Sequence, residues 1–241
     1  AVRFLLKVLN DFVRWVELLP YASLHGIWLY RLEVLGIYIF LLLFLYYLKT
    51  RRFRNLVVCF SCLLCLGIYH TVMRWYDRPC PSLVFYNVRG CPAIHCIAED
   101  GTSWLNYADT LSDKRRLQAV AANYWRRHQL LPPIEVTADC QNVDFCRHQQ
   151  IVFYHGCRIC MVTDNRWRNK SAASPLFINY MYLCKGYNGR LEELTGLFSP
   201  SCILLDASLS DDRKQFFREE CKRLHLHFIT LSEEGSVRFL L

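Results

Sequence analysis

Fifteen consecutive residues from Val34 to Leu48 carry no charge, and neither do eighteen from Leu56 to Met73. Neither run shows a polar face at the 3.6-residue period of a half-buried helix, which sets both apart from soluble core helices. Crossing ~30 Å of hydrocarbon takes about 20 residues at ~1.5 Å each, so both runs suffice once Leu32 and the flanking aromatics are counted. The pattern predicts a transmembrane helical hairpin over residues 20–78. Residues 1–19 read differently: Leu5, Val8, Leu9, Phe12, Val13 and Val16 share one helical face, with Arg3, Lys7, Asn10, Asp11, Arg14 and Glu17 opposite. This predicts an amphipathic helix ending before Pro20, suited to the headgroup zone or to a groove on partner helices.

After Pro79-Cys80-Pro81 the period shortens to that of strands. Leu83 to Val88, Ala93 to Ala98 and Ser103 to Tyr107 are separated by turn residues and predict a meander. Ser112 predicts the N-cap of a helix running to His128, closed off by Pro132-Pro133. Strands are expected at Ile134 to Thr137, Ile151 to His155, Arg158 to Thr163 and Phe177 to Cys184. A short helix at Leu191 to Phe198 then precedes a strand at Cys202 to Leu205. A helix capped by Ser210 follows, with Asp211 and Asp212 in its first turn, then strands at His227 to Leu231 and Val237 to Leu240. Strand-rich first and β-α-β last, residues 79–241 predict two sheets sandwiched with outer helices, an α/β or α+β domain.

Composition sharpens this picture. Hydrophobic residues make up 53% and the mean hydropathy is +0.11, values that exclude a disordered or collagenous chain and point to lipid contact. The net charge of +8 is uneven: residues 1–78 hold 10 basic and 4 acidic side chains, residues 79–241 hold 19 and 17, so the excess of 6 in the apolar part exceeds the 2 in the remainder. Lys49, Arg51, Arg52 and Arg54 crowd the hairpin connector, expected over Lys49–Asn55. The positive-inside rule places that tip in the cytoplasm and everything after Pro79 outside it.

Thirteen cysteines do not form a zinc or disulfide framework. Cys59, Cys62 and Cys65 suit helix packing, and Cys157-x-x-Cys160 on a strand sends its sulfurs to opposite faces. Cys91 with Cys96, and Cys140 with Cys146, are the pairs open to an oxidising compartment. His225-x-His227 lacks a nearby third ligand. No Gly-rich phosphate loop, G-x-S-x-G or triad ordering occurs. Two clusters mix cations with stackable rings, as single-strand DNA grooves do: Trp125, Arg126 and Arg127 in one, Arg166, Trp167, Arg168 and Lys170 in the other.

The order of parts, with Leu18-Leu19-Pro20 ending the amphipathic helix, a basic-tipped hairpin, Phe85-Tyr86-Asn87-Val88 opening the domain and Leu204-Leu205-Asp206-Ala207-Ser208 near its end, resembles the C-terminal region of the ComEC family of competence DNA-uptake membrane proteins. The resemblance covers essentially the whole chain. It implies a metallo-β-lactamase-like αββα domain over 79–241, beside channel helices upstream in the same or a longer polypeptide; the chain itself opens on Ala1. It implies a plasma (inner) membrane location, multiple spans and single-stranded DNA as a partner.

The family's metal ligands are largely replaced. The Asp-Val-Gly-Gln-Gly-Asp opening becomes Asn87-Val88-Arg89-Gly90-Cys91-Pro92, losing both carboxylates. The His-x-His-x-Asp-His loop has no counterpart, and His-His-Gly becomes Lys185-Gly186-Tyr187. Asp164 stands where the family has a metal-bridging Asp and is the remnant candidate. One carboxylate cannot assemble di-metal hydrolysis, so the expectation is a domain without catalytic residues, metal or cofactor. Two other readings stand beside it: an active zinc- or manganese-dependent nuclease degrading the non-imported strand, using Asp164 with His148 or His155, and a membrane-tethered interaction domain.

Overall fold

The computed structural model describes residues 28–108, 114–142 and 144–241, together with Arg3, Leu6, Lys7, Asn10 and Asp11. Most of the amphipathic segment expected over 1–19, and the Ser112 cap, lie outside them. The chain divides into two compact units, Ala1–Arg74 and Trp75–Leu241.

The first unit is built on α1 (Arg31–Thr50) and α2 (Phe53–Tyr76), which continues into the second unit. Both helices are long and apolar enough to cross a bilayer, and only 6% of each span is buried, unlike the core helix of a soluble domain. The connector is shorter than the sequence suggests: Lys49 and Thr50 complete α1, Phe53 to Asn55 begin α2, and only Arg51 and Arg52 lie between. Arg51 adopts a left-handed conformation (φ 49°), its N–H donating to the Tyr47 carbonyl at 2.7 Å, so the helix end is satisfied within a two-residue reversal. Gly36 lets Leu66 of α2 pack directly on the backbone of α1, since a Cβ there would collide with Leu66 Cδ2.

The second unit contains two sheets. The first has the order β12-β1-β2-β3-β4. Here β1 (Ser82–Phe85), β2 (Ala93–Ile97) and β3 (Ser103–Tyr107) form the expected antiparallel meander, β4 (Ile134–Val136) runs parallel to β3, and β12 (Val237–Leu240) closes against β1. The second has the order β11-β10-β9-β8-β7-β6-β5. Its antiparallel part comprises β5 (Cys140–Gln141), β6 (Phe145–His148), β7 (Ile151–Tyr154) and β8 (Cys157–Val162). Its parallel part runs from β8 through β9 (Leu176–Leu183) and β10 (Phe198–Leu205) to β11 (Phe228–Thr230).

Alternation of side chains sorts these strands into layers. Leu83, Phe85, Ile94 and Trp104 from the first sheet meet Ile159, Met161, Tyr182 and Leu204 from the second. On the first sheet's outer face, Val84, Ile97 and Leu105 pack against Leu117 and Ala121 of α3 (Lys114–Arg127). On the second sheet's outer face, Val162, Leu183, Ile203 and Leu205 pack against α4 (Leu191–Thr195) and α5 (Asp211–Arg223), through Leu191, Leu194, Phe217 and Cys221. The result is a mixed α/β unit with two sheets between helices. Each fully buried Leu or Phe contributes about 1.5–3 kcal/mol, so Phe85, which touches Tyr180, Tyr182 and Phe239, ties the sheets together.

Five elements depart from expectation. The short strands β5, at the edge of the second sheet, and β6, beside it, and the helix α6 (Leu231–Glu234) are additional. The helix expected to Phe198 stops at Thr195, and β10 begins at Phe198 although it contains Pro200. Proline is tolerated there because β11 pairs only with Ile203 to Leu205, leaving that stretch of β10 open on one edge.

All thirteen cysteines are free thiols. Cys91 lies in the outer core under α3 and Cys96 in the core between the sheets, on opposite faces. Cys140 pairs with Arg147 while Cys146 pairs with Gln141, so these two also point oppositely. Neither pair considered from sequence has the geometry of a disulfide. Cys157 and Cys160 do separate to opposite faces of β8, as the strand reading requires.

Candidate functional site

Three parallel strands release their loops at one edge of the second sheet, the place where open α/β sheets characteristically hold ligands. There the chain forms a cleft of about 430 Å³. One wall is Gly90, Pro92 and Ala108; the other is Thr163 and Asp164 after β8, Cys184 to Gly186 after β9, and Ser208 after β10. Gly186 sits at φ 118° with its Cα against the Thr163 carbonyl, where any Cβ would collide. Only glycine lets the β9 loop rest on the end of β8.

Asp164 is therefore in the cleft, but its carboxylate is taken. Arg166 donates Nε to both oxygens at 3.0 Å and Nη2 at 2.8 Å, and its backbone N–H adds a fourth contact at 3.0 Å. Partial burial pushes the Asp164 carboxyl up, and the Arg166 hydrogen bonds outweigh it, leaving the group below its ordinary value.

Behind the same wall lies Asp206, fully buried at the end of β10. Tyr182 and Ser208 hydroxyls donate to its two oxygens, and the Ser208 N–H adds a bond at 2.8 Å. Burial pushes this carboxyl up, against those hydrogen bonds. From sequence Asp206 was merely a residue at a strand end; its partner Tyr182 is 24 positions away and carries no local signal.

The histidines do not join Asp164. His148 is exposed and paired with Asp139 at 3.2 Å, and His155 sits in the β7–β8 turn, at the opposite end of β8 from Asp164. His227 lies 3.3 Å from Cys202 Sγ on the far strand pair. Among the described residues no three His, Cys, Asp or Glu side chains converge as a metal site, so the zinc or manganese that the family resemblance raises does not fit them.

The two basic-aromatic clusters lie apart. Trp125 is half-buried, its indole N–H donating to the Tyr86 hydroxyl at 2.9 Å, and Arg127 binds the buried Asp77 carboxylate at 3.2 and 3.3 Å. Arg126 faces solvent. These residues close α3, whereas Arg116, eleven residues earlier and about 16 Å up the helix axis, reaches the Arg89 carbonyl beside the cleft at 3.4 Å. Of the second cluster, Arg166 reaches the cleft through its contact with Asp164. Trp167 donates to Gln150 Oε1 at 2.6 Å, Gln150 donates to Thr163 Oγ1 at 2.6 Å, and the Trp167 ring meets Phe198 edge-on at 5.0 Å. Lys170 lies over the same ring at 5.6 Å, and Arg168 is 3.8 Å from Glu193. None of the seven residues singled out for nucleic acid lines the cleft: Arg166 meets it through Asp164 and Trp167 through Gln150 and Thr163, while the other five lie elsewhere. Lys185, which sequence reasoning assigned no role of its own, lines the cleft directly.

The model of the ComEC C-terminal domain matches residues 83–241. No curated protein and no solved structure matches the chain. A match over this two-thirds of the chain, joined to the two apolar helices that precede it, settles the relationship: the chain belongs to the ComEC family, membrane-associated proteins of competence DNA uptake, as a C-terminal region.

Proposed function

We propose that the chain is the membrane-embedded end of a DNA-uptake protein, with residues 79–241 as a metallo-β-lactamase-like αββα domain that holds single-stranded DNA without hydrolysing it. The helix, sheet, sheet, helix layering supports the sandwich. The four cations at the hairpin tip support an orientation with Lys49, Arg51, Arg52 and Arg54 cytoplasmic and the domain outside the inner membrane. Upstream spans of the same or a longer polypeptide would supply the channel. The observation that carries the non-hydrolytic reading is the Asp164–Arg166 clamp: the carboxylate standing at the family's metal-bridging position spends both oxygens on a side-chain cation.

The test uses the full chain in lipid nanodiscs, with an oligodeoxythymidine probe and added manganese or zinc. Salt-sensitive binding of the probe without cleavage, and less than stoichiometric metal, is expected. Stoichiometric metal accompanied by cleavage would replace this reading with the nuclease; no binding at any salt would replace it with a tethered interaction domain.

A further inference from the structure

The metals of the fold family would bring positive charge to this cleft, and the residues present bring positive charge of their own. Lys185 lines the cleft and is exposed, with no described carboxylate within ion-pair distance. It occupies the segment where the resemblance places a neutral histidine ligand. Across the cleft, the loop that would carry two carboxylates carries Arg89 instead, and its carbonyl draws in Arg116. The acidic lining residue, Asp164, is neutralised by the two-pronged Arg166 contact. The other nearby acid, Asp206, is fully buried behind the wall and saturated by three donors. Lys185 and Arg166 offset Asp164 and the buried Asp206, and Arg89, with Arg116 drawn to its carbonyl, tips the cleft positive. Such a site repels a divalent cation and attracts a phosphate, for which an ammonium serves as a point-charge partner.

We propose that this cleft is a phosphate seat of inverted polarity, in which Lys185 binds a backbone phosphate of single-stranded DNA and the Asp164–Arg166 pair closes the former metal position. The proposal deepens the DNA-holding reading and rests on it for the identity of the ligand. A phosphodiester bound there meets no metal-activated water, so it is held and released intact.

The experiment measures oligodeoxythymidine affinity of the full chain in nanodiscs of phosphatidylcholine, with inorganic phosphate as competitor. Lys185→Glu should weaken binding roughly tenfold and lower the salt slope by about one, the signature of a lost phosphate contact. Lys185→Arg should restore it, and Lys222→Gln, exposed in the last turn of α5, should stay within about twofold of wild type. Binding that is intact in Lys185→Glu, or lost equally in Lys222→Gln, overturns the seat while leaving DNA holding in place. Broadening of the ³¹P signal of inorganic phosphate that depends on Lys185, with no DNA bound, keeps the seat and overturns the DNA reading. Manganese held in the cleft by Asp164 overturns the inversion itself.

Discussion

The two units sort their side chains in opposite senses. In α1 and α2 the buried residues are Glu33 and Cys59, while leucines, phenylalanines and tyrosines face outward; in the sheet unit those same residue types fill three cores and the charges face outward. The two units thus show opposite sortings, and their buried carboxylates differ in the same way. Glu33 takes His70 Nδ1 at 2.7 Å and the Tyr30 N–H at 2.8 Å, a basic side chain plus a helix-terminal amide. Asp206 takes only neutral donors, two hydroxyls and one amide. A carboxylate in hydrocarbon needs a partner able to share its proton or charge. A carboxylate inside a protein core can instead be held by a dense set of dipoles, at the cost of a raised affinity for its own proton.

Removing the second of these acids should have the largest effect. Asp206→Ala leaves the Tyr182 hydroxyl and the Ser208 N–H unpaired behind the cleft, and we expect a loss of about 3 kcal/mol in domain stability. Asp206→Asn keeps acceptor and shape and should cost far less. The folded carboxyl titrates above its unfolded value of about 3.9. The stability it contributes is therefore complete below that unfolded value and is lost as pH rises through the folded one, a slope absent in Asp206→Asn. Near-UV circular dichroism melts of the full chain in nanodiscs across pH measure both effects. An alanine variant as stable as wild type would mean the network contributes nothing.

His95 sets the opposite slope. It is fully buried beneath α3: Trp125 donates to the Tyr86 oxygen, the Tyr86 hydroxyl is hydrogen-bonded to His95 Nδ1 at 2.9 Å, and Nε2 has no partner among the described residues. Burial pushes its pKa down to about 3. The unfolded ring takes up a proton near pH ~6.5, so stability present above that value is lost as pH falls toward 3. His95→Asn, whose amide oxygen can stand in for Nδ1, should flatten the acid limb of the melting curve between those limits by an amount worth several kcal/mol. An unchanged acid limb would show that the ring is charged or solvated in the folded chain.

These networks also mark where sequence reading stops. The apolar runs of the hairpin, the β1–β3 meander, the Ser210-capped α5 and the closing strand β12 were legible because their signals are local: continuous apolar stretch, alternation, a cap whose hydroxyl accepts from Arg213 N at 3.4 Å. The placement of β5 and β6 depends on pairing at a sheet edge, and the start of β10 on which of its edges β11 covers, neither of which a residue pattern encodes. Within the cleft, the loss of carboxylates around Asn87 and Pro92 was readable by position. The fate of Asp164 was not, although Arg166 is two residues away, because Arg166 also read as a free cation for DNA. Arg127 is the same case over a longer span, since Asp77 lies 50 positions away.

The smallest expected effect tests the hairpin side of the comparison. Glu33 joins the start of α1 to His70 on α2, next to the Tyr30–Tyr69 edge contact at 6.3 Å and one turn from the Gly36–Leu66 approach. Hydrogen bonds between helices in lipid average about 0.6 kcal/mol because the separated helices find other partners, and a lost helix cap adds about 1 kcal/mol. Glu33→Ala forfeits both interactions, whereas Glu33→Gln keeps an acceptor for the Tyr30 N–H and weakens only the tie to His70. Hydrogen exchange of the full chain in nanodiscs, read by mass spectrometry on the peptide carrying Tyr30 to Val34, should therefore quicken roughly fifteenfold in the alanine variant. The glutamine variant should fall between it and wild type. Equal rates in all three would mean that the outward-facing apolar surface alone fixes the hairpin, and that its buried acid is a passenger where Asp206 is a structural necessity.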